Sequence, residues 1–107
     1  MVRVSNHGNK RIRSRCGVPK KSVARIAKMA FDQGIRHCET TGALNKYITA
    51  QYFYNETANN IRIYADKVYI FSGEILVTVL ELPHRFRRAA AKIMQQKKNA
   101  DNGGIAI

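Results

Sequence analysis

At residue 61 the apolar spacing of this chain changes period, and the change confines it to one fold class. Upstream, Val23, Ile26, Ala27 and Ala30 recur at i, i+3, i+4 and i+7, and Leu44, Tyr47, Ile48 and Tyr52 form a second stripe of the same kind. Stripes so spaced cover one side of a helix with ~3.6 residues per turn. Downstream, Ile61–Ala65 (IRIYA), Val68–Ser72 (VYIFS) and Ile75–Leu82 (ILVTVLEL) are rich in β-branched and aromatic residues and alternate with the strand period of ~2. Helices followed by a run of strands predict an α+β domain.

Local punctuation sets the boundaries. The first helix is expected to open at Pro19, whose missing N–H costs nothing in a first turn. Gly34 is expected to end it in a left-handed conformation, with Ile35 folding back on the last turn. Thr40 or Thr41 caps the second helix, and Asn55–Asn60 (NETANN) reads as a polar loop. Two-residue turns at Asp66-Lys67 and Gly73-Glu74 join the strands into a three-stranded antiparallel meander. Ile63 then faces Ile70, which faces Val77, and Tyr64 faces Tyr69, which faces Thr78. The core face is expected to hold Ile61, Ile63, Ala65, Val68, Ile70, Ile75, Val77 and Val79. The other face carries Arg62, Tyr64, Tyr69, Phe71, Leu76, Thr78 and Leu80. Pro83 stops the sheet and opens a C-terminal helix from His84 to about Lys98, with Phe86, Ala90, Ile93 and Met94 as its stripe.

The resulting order is arm-α-α-β-β-β-α. Residues 1–17 are expected as a flexible basic arm, residues 18–98 as a single α+β domain, and residues 99–107 as a frayed tail. A length of 107 residues fits one domain. No apolar run reaches the ~20 residues of a membrane span, and the N-terminus lacks the apolar core of a secretory signal, so a cytoplasmic location and no membrane partner are expected. The two cysteines, Cys16 and Cys38, suit a reducing compartment.

Charge is distributed with equal clarity. The net charge is +12, yet residues 1–31 hold nine basic side chains and no acid, residues 84–98 hold six and no acid, and residues 32–83 carry four bases against six acids. A device for solubility alone would intersperse both signs. Two polycationic ends around a near-neutral middle predict a field that recruits a phosphate backbone by releasing its counterions. The nucleic-acid-binding candidates are Lys10, Arg11, Arg13 and Arg15 in the arm, Lys20, Lys21, Arg25 and Lys28 in the first helix, and Arg85, Arg87, Arg88 and Lys92 in the last. Arg62 and Tyr64, beside Tyr69 and Thr78 on one sheet face, add a surface on which bases can stack.

Chemistry is less clearly written. A metal-independent nuclease needs a base, an acid and a cation for the phosphorane, which His37, Glu39 or His84 with Arg62 or Arg85 can supply. Cys16, His37, Cys38 and His84 lack the paired spacing of a metal site, and no phosphate-binding glycine loop or nucleophile elbow is present. No metal or cofactor is expected.

Residues 10–54 resemble a ribbon-helix-helix DNA-binding module, through the alternating Arg11-Ile12-Arg13-Ser14-Arg15 segment, the Pro19-led helix, the Gly34-Ile35 break and the helix through Tyr52. That resemblance implies a homodimer whose paired ribbons enter the major groove, with Arg11, Arg13 and Arg15 toward the bases. Two helices before a meander are also similar to the RelE- and barnase-like ribonuclease toxins, which implies Arg62, Tyr64 and Arg85 as surface groups of a nuclease. The whole chain resembles small basic proteins of bacterial phages and mobile elements. That setting includes inhibitors of host defence such as anti-CRISPR proteins.

The expectation drawn from these observations is a non-catalytic nucleic-acid-binding protein, for DNA or RNA, of bacterial or phage origin. Cations from both chain ends are expected to converge on one side and clamp the polyanion. The alternatives are an inhibitor of host defence that meets a ribonucleoprotein or acidic protein complex, and a small ribonuclease of the toxin type.

Overall fold

The computed structural model of the chain describes residues 2–54 and 58–106. In chain order it contains β1 (Arg3–Val4), α1 (Asn6–Cys16), α2 (Val23–Gln33), β2 (Ile35–Arg36), α3 (Gly42–Tyr54), β3 (Asn60–Tyr64), β4 (Lys67–Ser72), β5 (Ile75–Glu81) and α4 (Arg87–Ala106). Single 3₁₀ turns at Lys20–Ser22, His37–Glu39 and His84–Phe86 precede α2, α3 and α4. The strands form one sheet in the order β1-β5-β4-β3-β2, parallel between β1 and β5 and antiparallel elsewhere. The α+β class holds. The element order does not, because two short edge strands flank the expected meander. No helix among the described residues is long and apolar enough to cross a membrane.

Helices cover the sheet on both faces. Val68 and Ile70 of β4 point one way and Tyr69 and Phe71 the other, as strand geometry requires, and all four are buried. On the first face Leu44 and Ile48 of α3 and Phe86 and Ala90 of the C-terminal segment meet Ile35, Ile61, Ile63, Val68, Ile70 and Leu82. On the second, Ile12 of α1 and Val23, Ala27 and Ala30 of α2 meet Tyr69, Phe71, Leu76 and Val79. Two cores back to back make three layers, a larger buried volume than a meander with helices on one side would give.

Residues 2–17 are therefore not an arm. Arg3 and Val4 pair with Ile75 and Leu76, and the segment Arg11–Arg15, which the ribbon-helix-helix resemblance implied as a ribbon in a dimer, is the second half of α1. Ser5 caps α1 by accepting from the Gly8 N–H at 2.9 Å. Gly17, at φ 63°, ends it with its N–H on the Arg13 carbonyl at 3.1 Å. The buried side of α1 is only Gly8 and Ile12, with Cys16 half-buried one turn on. One bulky side chain holds the helix, and Gly8 lets its backbone approach β5.

Other boundaries moved for identifiable reasons. Pro19 precedes the 3₁₀ turn, and α2 itself begins at Val23. Gly34 ends α2 in an extended conformation, φ −66°, rather than a left-handed one. Its small size is needed for another reason: a Cβ there would overlap the Ala30 carbonyl and come within 2.9 Å of the Arg62 Cβ. Of the polar loop expected over 55–60, residues 55–57 lie outside the described residues and Asn60 already belongs to β3. Helix α4 continues past Lys98 to Ala106, where a tail was expected over 99–107; residue 107 lies outside the described residues.

The register also differs. The first hairpin turns at Ala65-Asp66, both at positive φ (49° and 63°), so Tyr64 faces Lys67, Ile63 faces Val68 and Ile61 faces Ile70. Moving a turn by one position shifts the pairing by two residues, which leaves each side chain on its expected face. Of the core residues expected in the first two strands, only Ala65 is lost. The second hairpin starts as expected, Ser72 on Ile75 and Phe71 on Leu76, and then Ile70 pairs with Thr78. Val77 is the extra residue of a bulge, and beyond it the alternation inverts. Val79 thus joins the α1–α2 core, Leu80 and Leu82 go to the other face, and Ile75 is 41% exposed.

Candidate nucleic-acid interface

The sequence-predicted cations fall on two opposite layers. Helices α1 and α2 lie on one face of the sheet and α4 on the other, so the two basic blocks do not converge on a single side. The larger group is on the α1–α2 layer: Lys10, Arg11, Arg13 and Arg15 from α1, Lys20 and Lys21 from the turn, and Arg25 and Lys28 from α2.

The local reason is the narrowness of the buried stripes. α1 turns inward at Gly8 and Ile12, which leaves Lys10 and Arg13 exposed and Arg11 half-buried; Arg11 Nε donates to His7 Nε2 at 3.2 Å. α2 turns inward at Val23, Ala27 and Ala30, which leaves Arg25 and Lys28 exposed. The Gly17–Pro19 connection brings the turn beside α1, and Lys20 shares a recess of about 250 Å³ with Asn6, Asn9, Lys10 and Arg13. A second recess, a groove of about 400 Å³, lies between the end of α1, α2 and the β3–β4 hairpin, and joins Arg15 and Arg25 to Tyr64 and Lys67. Sequence reasoning did not find Lys67, because only the hairpin carries it to the groove.

Among the described residues, ion pairs on this layer involve only Lys28, whose Nζ is 2.7 Å from the Asp32 carboxylate. That contact raises the Lys28 pKa, through the hydrogen bond first and the Coulombic attraction second. Lys10, Arg13, Arg15, Lys20, Lys21 and Arg25 are in none of the ion pairs, and Lys67 is paired with Glu81 at 3.0 Å.

On the opposite layer Arg85 stacks on the Phe86 ring at 4.7 Å and Arg87 lies 3.9 Å from Glu81, while Arg88 and Lys92 are exposed. This group is smaller and partly engaged within the fold.

The proposed stacking face is covered. Tyr69 is buried under α1 and α2, with its hydroxyl 3.6 Å from Cys16 Sγ, and burial drives its pKa far above the ordinary tyrosine value. Arg62 lies over the Phe31 ring at 5.1 Å and donates from Nε to the Phe31 carbonyl at 3.2 Å, capping the last turn of α2. Burial lowers the pKa of its guanidinium from the usual value. Arg62, Tyr64 and Thr78 stay half-exposed, and of these three Tyr64 lines the groove.

His37, Glu39 and Arg62 sit near the β2 edge, each with a structural partner. His37 Nε2 is 2.9 Å from Thr49 Oγ1, whose own hydrogen goes to the Asn45 carbonyl. Glu39 accepts from the Arg36 backbone N–H at 2.8 Å and from Lys97 Nζ at 2.9 Å. His84 and Arg85 lie at the start of the C-terminal helical segment. Among the described residues no three His, Cys, Asp or Glu side chains gather as a metal site.

No protein-family model, curated protein or solved structure matches the chain.

Proposed function

We propose that the α1–α2 layer binds the phosphate backbone of a nucleic acid and does no chemistry on it. One observation carries the reading: from Lys10 to Lys28 two helices and their connecting turn carry eight cations, six exposed and Arg11 and Arg15 half-buried, and among the described residues Asp32 is the one carboxylate paired with them. Holding so many like charges together, apart from carboxylates, leaves their mutual repulsion uncompensated. A polyanion relieves it, with release of its condensed counterions as the driving force. Helices backed by a two-sided core give these side chains a rigid base, so their spacing survives binding.

The test is a salt titration of binding to duplex DNA, single-stranded DNA and structured RNA. Each phosphate neutralised on a duplex contributes ~0.9 to the slope of log affinity against log salt. Engagement of four of these cations therefore gives a slope of roughly −3 to −4. Negligible affinity for all three polymers at low salt would overturn the reading.

A further inference from the structure

A surface that only tracks phosphates needs charge and no cavity, yet the basic layer contains one. The groove between the end of α1, α2 and the β3–β4 hairpin encloses about 400 Å³, within the ~300–1,000 Å³ range of small-molecule sites. Its lining is mixed: Ile26 and Met29 are aliphatic, Tyr64 aromatic, and Arg15, Arg25 and Lys67 cationic. Nearby, the Cys16 thiol and Tyr69 hydroxyl satisfy one another at 3.6 Å. Arg15 Nε at the groove, like Arg87 Nε on the opposite layer, is buried with no hydrogen-bond partner. Lys67 is already paired with Glu81 at 3.0 Å, so Arg15 and Arg25 are the lining cations outside any described ion pair.

A flat group with π faces, polar edges and an attached phosphate matches this lining. We propose that the groove receives one nucleobase of a bound single strand, with the base among Tyr64, Ile26 and Met29 and the adjoining phosphate on Arg15 and Arg25. The inference rests on the phosphate-binding reading above and narrows its ligand to single-stranded nucleic acid. In a duplex the bases are already stacked and paired, so a duplex gains only the outer cations. A single strand offers its bases at no unpairing cost.

The experiment uses the full chain and three oligonucleotides with equal phosphate number: a single strand carrying 2-aminopurine, the same strand with abasic sites in place of its bases, and the duplex. The expected result is a preference of roughly tenfold for the base-bearing strand over the abasic one, the scale that one stacked base supplies, with a change in 2-aminopurine emission on binding. Tyr64→Leu, which removes the ring and keeps much of its bulk, is expected to reduce that preference to about twofold or less. Equal affinity of the wild-type chain for base-bearing and abasic strands overturns the groove as a base site while leaving phosphate binding intact. Failure of every strand to bind at low salt overturns both. A preference that persists undiminished in folded Tyr64→Leu, or in Tyr64→Ala where the first variant misfolds, also overturns the assignment.

Discussion

Gly8 of α1 lies directly against the backbone carbonyl of Leu76 in β5. A Cβ at position 8 would overlap that carbonyl oxygen, and would come within 3.1 Å of the Leu76 carbonyl carbon and 3.2 Å of Ser5 Oγ. The two nearest of these are backbone atoms of a paired strand, so the strain has no cheap outlet. In an ordinary helix interior, replacing glycine by alanine stabilises by roughly 0.5–1 kcal/mol. Here Gly8→Ala is expected to destabilise by about 1–3 kcal/mol, the cost of overpacking. Urea denaturation measures the difference, and a stabilised variant would show that α1 does not sit this close to the sheet.

The contact makes α1 part of the fold. Ile12 is wholly buried beside Val23, Ala27 and Leu76, and β1 pairs with β5. Ile12→Ala is expected to cost about 2–4 kcal/mol through lost burial and the cavity left behind. Deleting residues 1–17 is expected to abolish cooperative unfolding, because it uncovers Leu76 and Val79 on the second core. A truncated chain that melts cooperatively at the full-length temperature contradicts this. Loss of nucleic-acid binding after such a truncation would then report unfolding, and side-chain substitutions are the proper test of the surface.

Glu39 supplies a pH dependence. Burial alone would raise its pKa, but the Arg36 backbone N–H, then Lys97, then the Arg36 charge outweigh it and hold the carboxyl below the ordinary 4.5. A group with a depressed folded pKa stabilises the fold above its unfolded value, and the contribution is lost as pH falls through the folded value. The loss therefore occurs below about pH 4.5. Lys97 Nζ also donates to the Gly34 carbonyl at 3.1 Å, so the same contact ties α4 to the end of α2. Glu39→Gln is expected to cost roughly 1–2 kcal/mol at neutral pH, with the difference from wild type shrinking as pH falls below about 4.5. Chemical denaturation at several pH values measures it. A difference of constant size across that range would assign the effect to packing instead of charge.

How much of this was legible follows from how many bulky residues each element buries. Helices α2 and α3 announce themselves because Val23, Ala27, Ala30 and Leu44, Ile48 repeat at helical spacing. Helix α1 buries Ile12 between two small residues, Gly8 and Cys16, so its stripe carries almost no hydrophobic signal. Ser5 before Gly8 and Gly17 after Cys16 were its readable marks, as caps. Strands β1 and β2, two residues each, are too short for any period to show. The Val77 bulge inverts the alternation, and no residue type specifies it. Val68–Phe71 did contain a clue: an unbroken apolar run is what a strand buried on both faces requires. Read that way, it predicts helices on both sides of the sheet, and with them the separation of the two basic blocks. The charge segregation was legible. Which layer each block occupies, and the meeting of Arg15 with Lys67, depend on tertiary contacts.

That separation allows a comparison in which total charge is held constant. Lys20→Glu/Lys21→Glu/Arg25→Glu changes the α1–α2 layer, and Arg85→Glu/Arg88→Glu/Lys92→Glu changes the opposite one; each triple takes the formal charge from +12 to +6. Long-range attraction of a polyanion depends on the field of the whole molecule and falls about equally in both. Contact at a surface does not. The α1–α2 triple is expected to lower affinity by tenfold or more and to make the salt slope shallower by about 2.7, three phosphates at ~0.9 each. The α4 triple is expected to lower affinity less than about threefold with the slope nearly unchanged. Arg85 also gives up its stacking on Phe86 in that variant, so thermal melting of both triples accompanies the titration. The reverse ranking would move the interface to α4. Equal losses would reduce the basic layer to a source of diffuse attraction with no binding face of its own.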